Sequence, residues 1–253
     1  MAKFSLRSSA CCILICTLLI HSLVTGNPRN LNTDADPQKI YLAPKMKIEK
    51  SEPSAVVMKS DGSGLYTGLS GGGYHFFGLN DDSNNDLQDG WLPFEVQLAS
   101  ISPNGIYLAL GLGNHPYGNP IQGQILIWDL AQKKVHALLQ HKRDSRVGSI
   151  VFSPDNTTLV TGGSEGHIQI WDVVSKTLTM IVDVATGRDV SSLHILNDNT
   201  TLIVGSFGKL TFCNLKTGQI LKTIYTHKFS IKSMAVSSDQ AYLLTVAVEA
   251  EVK

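Results

Sequence analysis

The chain of 253 residues carries 21 basic and 21 acidic side chains, a formal charge of +0 at neutral pH. A balanced chain without a basic stripe lacks the electrostatic footprint of a nucleic-acid binder. Charged residues make up 17% of it, below the ~25% usual in globular domains, as expected where many strands are buried between neighbours, and the length suffices for one domain with its own core.

Residues 1–26 open with Lys3 and Arg7, run through Ala10 to Val24 as mostly Cys, Ile, Leu and Val, and close on Thr25-Gly26. A basic start, a short apolar core and a small-residue exit read as a signal peptide, which predicts a secreted or periplasmic protein. The apolar run includes His21 and Ser22 and falls short of the ~20 residues that span a bilayer. Stable membrane insertion is therefore not expected, and tethering by an uncleaved signal anchor is the alternative. Cys11, Cys12 and Cys16 belong to this leader, leaving Cys213 alone. One thiol makes no internal disulfide, and Cys213 reads as a small buried hydrophobe.

Residues 27–53 form a polar linker interrupted by Pro28, Pro37, Pro44 and Pro53. Lys39-Ile40-Tyr41-Leu42 and Met46-Lys47-Ile48 within it are strand-like, so the segment is either a plain linker or the source of a closing strand.

From Ser54 onward one unit recurs. Its clearest copy, Val147 to Thr179, holds an apolar run, a Pro154-Asp155-Asn156 turn, a second apolar run and the Gly162-Gly163-Ser164-Glu165-Gly166 turn. An alternating strand ending in Trp171-Asp172 and a fourth extended piece complete it. Ile168 and Ile170 share one face of that third strand, Gln169 and Trp171 the other. Phe152 anchors this copy, and Met58, Ile101, Ile195 and Val236 anchor the others, at successive spacings of 43, 51, 43 and 41 residues. The long spacing reflects an insertion between Gly113 and Gly123. The copies cover about 54–94, 95–145, 146–188, 189–228 and, in part, 229–253. Four short antiparallel strands in each ~40-residue copy predict an all-β propeller.

The Trp-Asp dipeptides carry a family likeness: over residues 54–253 the chain resembles the WD-repeat proteins. Trp128-Asp129 and Trp171-Asp172 match the family signature, while Phe77-Gly78 and Cys213-Asn214 are degenerate. The resemblance implies a tetrad of His, Ser or Thr, Asp and Trp in each blade. On this chain it falls on Thr67, Thr161 and Thr245 as hydroxyls, Glu165 as the acid, and His227, at the expected distance from Val236. His141 lies two residues early, and the copies anchored at Ile101 and Ile195 lack the His. Aligned on Val236, Thr245 matches Thr161, Glu249 matches Glu165, and Val252-Lys253 match Ile168-Gln169, so the expectation is four blades plus most of a fifth. The family usually closes with seven. Three explanations are open: a truncated product, which we favour, a five-bladed ring closed by Lys39 to Ile48, or assembly with another chain. An incomplete ring leaves a blade edge available for self-association.

Several motifs imitate chemistry. Gly68-Leu69-Ser70-Gly71-Gly72 fits a nucleophile-elbow pattern, but a strand, Tyr74 to Phe77, follows it where that elbow needs a helix. Gly205-Ser206-Phe207-Gly208-Lys209 completes no phosphate loop and reads as a hairpin turn. His75, His136 and His194 fall in strand-like runs without ligand spacing, and no catalytic, cofactor or metal site is assigned. Asn156-Thr157-Thr158 and Asn199-Thr200-Thr201 are N-glycosylation patterns in turns expected to be exposed.

In a propeller the turns joining second to third strands share one face with the loops between blades. That face is expected to carry Trp91, His115, Tyr117, Arg143, Arg146, Glu165 and His167, residue types that include those enriched at interface hot spots. The expected function is a non-catalytic scaffold that binds a protein or peptide. The alternative is a ligand-binding or enzymatic extracytoplasmic propeller, lactonase-like or quinone-dependent, with polar groups converging on its channel.

Overall fold

A computed structural model describes residues 53–70, 72–78, 95–113, 123–141, 146–185 and 188–247, and every structural statement below concerns these. The leader, the strand-like pieces of the linker, the insertion at 114–122, and the Glu249 and Val252-Lys253 matches lie outside them. All regular elements among the described residues are strands. The first sheet holds β1 (Pro53–Met58), β2 (Gly64–Leu69) and β3 (Tyr74–Gly78). The second holds β4 (Val96–Ile101), β5 (Tyr107–Leu112), β6 (Gln124–Asp129) and β7 (Lys134–Gln140). In the third are β8 (Val147–Phe152), β9 (Thr158–Gly163), β10 (His167–Asp172) and β11 (Thr177–Asp183). The last group contains β12 (Ser192–Ile195), β13 (Thr201–Gly205), β14 (Phe207–Asn214), β15 (Ile220–Val236) and β16 (Leu243–Ala247).

Each sheet is an antiparallel meander, and the first strands of successive sheets, β1, β4, β8 and β12, pack side by side with the second half of β15. This is a propeller arrangement of four blades followed by the beginning of a fifth. The anchors occupy one structural position: Met58, Ile101, Phe152, Ile195 and Val236 pair with Leu65, Leu108, Leu159, Leu202 and Leu243. Four residues beyond each anchor the backbone turns left-handed, at Gly62, Gly105, Asn156, Asn199 and Gln240. Asn tolerates that conformation better than most side chains, and in the third and fifth blades a Ser–Asp pair supports the turn. Ser153 Oγ donates to Asp155 and accepts from Thr158 N at 3.0 Å. Ser237 repeats the arrangement with Asp239 and Tyr242 N, at 2.9 Å to the latter.

The core lies between blades. Tyr66, Tyr74 and Leu110 fill the first seam with partly buried Trp128. Leu159, Trp171 and Ile125 fill the second, and Ile168, Ile170, Leu193 and Cys213 the third. Close approach requires glycine on the second strands: a Cβ on Gly68 would lie 2.4 Å from Val96 Cγ1, and one on Gly162 would lie 2.3 Å from Val190 Cγ1. At the rim, Asn156 Oδ1 accepts from Asn104 N and Asn199 Oδ1 from Asp155 N, each at 2.9 Å, stitching three turns of adjacent blades together. Both asparagines are half-buried, which corrects their expected exposure: the side chains turn sideways onto the neighbouring blade.

β15 is the departure from four short strands per blade. Between Ile220 and Val236 there is no Gly or Pro to break extension, so one strand serves two sheets. Its first part pairs with β14 and its second, from Ile231, with β16. The third strand expected in the fifth blade falls outside the described residues.

Candidate interaction face

Antiparallel order sorts the connections onto two ends. Turns after the first and third strands of a blade lie at one end, where the Asn156 and Asn199 stitches are. Turns after the second strands and the loops between blades lie at the other. At this second end Ser164 N donates to Arg146 O at 3.0 Å, so the turn of the third blade rests on the loop that enters it. Gly166 holds a φ of +85°, and a Cβ there would sit 1.9 Å from Ala185 O. Only glycine lets the loop after β11 settle on this turn. Val184 N and Ala185 N both donate to Gly166 O, at 3.0 and 2.8 Å, and Val190 N donates to Gly163 O at 3.1 Å.

Of the residues expected on this face, Arg146 and Glu165 are exposed on adjoining segments. Arg146 Nη2 approaches Asp189 Oδ2 at 3.8 Å, linking the loops on either side of the third blade. Trp91, His115, Tyr117 and Arg143 lie outside the described residues. His167 is not a surface residue: it begins β10 and is fully buried, so its place on the docking face is corrected. A Gly-rich turn suggested exposure, but the residue after Gly166 already points into the seam between blades. There Gln169 Nε2 lies 3.2 Å from His141 Nδ1 and 3.3 Å from His167 Nε2, and the two rings stand 4.9 Å apart. The amide supplies two donors, enough for both nitrogens when each is an unprotonated acceptor.

The residues carried over from the family pattern occupy definite positions. Trp171 Nε1 donates to Thr161 Oγ1 at 3.0 Å, both buried. His227 Nε2 lies 2.8 Å from Thr245 Oγ1. In the second blade Leu110 pairs opposite Leu126 where Thr161 pairs opposite Gln169, so Trp128 has no hydroxyl at that position. Instead it packs on Tyr74, ring centres 6.0 Å apart. Asp172 and Asp129 close the following turns, accepting from Ser175 N and Gln132 N at 2.7 Å each. Hydrogen bonds from Ser175 hold the Asp172 carboxyl below the usual range. Asn214, in the degenerate dipeptide, does the same through its amide oxygen, accepting from Lys216 N at 2.9 Å. Glu165, assigned to the acid position, stands exposed in its turn.

Two residues on this face were missed by the sequence reading. The Arg188 guanidinium lies 4.6 Å from the ring centre of Phe207, across the seam between the third and fourth blades. Arg188 belongs to an interblade loop, the same class of segment that nominated Arg146, and that signal was there to be used. Phe207 precedes Gly208 in a hairpin, and nothing local foretells its partner.

The family model described as "WD domain, G-beta repeat" matches residues 132–172, from the turn after β6 through Asp172. A search of curated proteins finds no match to the chain.

Proposed function

Because the chain is a WD-repeat β-propeller protein, we propose that it acts as a non-catalytic scaffold, docking a protein or peptide on the end that carries Arg146 and Glu165. The observation that carries this reading is the difference between the two ends. At one end the asparagine side chains of the turns are spent on stitching neighbouring blades together. At the other, loops pinned by Gly163 and Gly166 present exposed charged side chains from a rigid base. A rigid platform limits the ordering cost of association. The basic and apolar leader supports export before this face meets its partner, and secretion of a tagged full chain would test that. Among the described residues β16 pairs with β15 along one edge, and a second copy adding a strand along the other edge would give self-association.

Crosslinking of the full-length protein to proteins of its own compartment, followed by affinity measurement with the captured partner, tests the docking face. Arg146→Ala with Glu165→Ala should weaken that affinity by about tenfold or more, while Lys176→Ala, at the opposite end, should leave it unchanged. Equal affinity in both variants would refute the assignment.

A further inference from the structure

The geometry points to a carboxylate-reading pair at the seam of the third and fourth blades: Arg188, lying over the Phe207 ring, binds an acidic residue of a peptide partner. This rests on the docking face proposed above and names the chemistry that the face selects. Arg188 is exposed, Phe207 is 41% exposed, and the guanidinium lies 4.6 Å from the ring centre. Among the described residues Arg188 makes no ion pair. A guanidinium over a ring face, with no ion-pair partner among the described residues, has N–H groups to offer, and its planar fork matches the two oxygens of a carboxylate.

The pair is held in place from both sides. Arg188 N donates to Ala185 O at 2.9 Å, and Ala185 is itself fastened to Gly166 O. On the fourth blade, Gly208 lies so close to β15 that a Cβ would meet His227 O at 2.5 Å, which holds the hairpin that carries Phe207 against that strand. Asp189, the nearest carboxylate in sequence, is turned to Arg146. With its backbone tied to Ala185 and its guanidinium already over the Phe207 ring, Arg188 needs less ordering when a ligand arrives than a free side chain would. Lys209 and exposed Lys228 add positive charge on the fourth-blade side, whereas exposed Glu165 lies on the third-blade side. That local excess of positive charge suits an acidic residue, while a chain with 21 basic and 21 acidic side chains has no extended basic stripe for a polyanion such as nucleic acid.

The test pans a displayed random peptide library on the full chain, then measures synthetic forms of the enriched peptides by fluorescence anisotropy. The enriched peptides should share an Asp or Glu, and changing it to Asn or Gln should cost about tenfold in affinity. Arg188→Gln should cost the same, Arg188→Lys nearly as much because the planar fork is lost, and Phe207→Ala several-fold. Unchanged melting temperatures would separate these effects from misfolding. No enrichment, peptides without an acidic position, or equal binding to Arg188→Gln would overturn the inference. So would a labelled single-stranded oligonucleotide that binds more tightly than the peptides and is lost in Arg188→Gln. Peptides indifferent to Arg188→Gln but lost in the Arg146→Ala, Glu165→Ala variant would sink this inference and leave the docking face standing. Peptides indifferent to both would sink both.

Discussion

Thr161 and Thr67 occupy the same position in their blades, facing Gln169 and His75 across the hairpin, yet their surroundings differ. Thr161 Oγ1 accepts the indole N–H of Trp171, whereas Thr67 Oγ1 is buried without a hydrogen-bond partner among the described residues. Where the third blade has Trp171 the first has Phe77, which carries no N–H to donate. Removing Thr161 leaves a buried donor unpaired, whereas removing Thr67 removes a polar group that is already a cost. Thr161→Val should therefore destabilise by about 1–3 kcal/mol, and Thr67→Val should be neutral or stabilising. Trp171→Ala should cost about 3–5 kcal/mol because a large buried ring is lost. Chemical denaturation of the three variants checks the order, and a Thr67→Val loss equal to that of Thr161→Val would refute the contrast.

The turns carry carboxylates that are sensitive to acid. Hydrogen bonds from Ser63 bring the exposed Asp61 carboxyl down to about 2. At Asp198 partial burial acts upward, but bonds from Thr201 and Thr200 prevail and also bring it to about 2. Each carboxylate is thus more acidic folded than unfolded, so its contribution is complete above the ordinary value of 3.8 and is lost as pH falls from there toward about 2. Burial holds the His194 imidazole below 6.5, which adds an earlier loss beginning as pH falls through that value. Stability measured against pH should decline in two steps, with Asp198→Asn flattening the lower and His194→Gln the upper. A single step unaffected by either variant would contradict these assignments. Turns and strands were also what the sequence made legible. Alternation in Ile168-Gln169-Ile170-Trp171 and the Pro-Asp-Asn reversal are local, so the five anchors could be aligned without coordinates. Continuity of β15 left no such mark, because the absence of a breaker between Tyr225 and Ile231 reads equally as a strand or a loop. Burial of His167 beside His141, which follows the preceding blade, and the Arg188–Phe207 contact with the next blade both lie between blades, and no periodicity within one blade encodes them.

Across the whole molecule, each blade is held mainly by its neighbours, so local damage should spread in one direction along the array. The seam between the third and fourth blades permits a clean test. Gly162 has an ordinary strand conformation, and an added methyl would first meet Val190, whose Cγ1 would lie 2.3 Å from it. Val190 is fully buried and belongs to the same seam as Ile168, Leu193 and Leu202, so it cannot move aside without disturbing that core. Overpacking of this kind costs about 1–3 kcal/mol. Hydrogen exchange on Gly162→Ala should show faster opening of β12–β16, which lie beyond the seam, while amides of β4–β6 keep most of their protection. Gly105→Ala is the control, since a Cβ there meets nothing within 4 Å and only its left-handed φ of 70° is penalised; its effect should be confined to the turn between β4 and β5. If both variants loosened every blade equally, the propeller would be one cooperative unit, and the seam would have no independent part in holding Arg188 over Phe207.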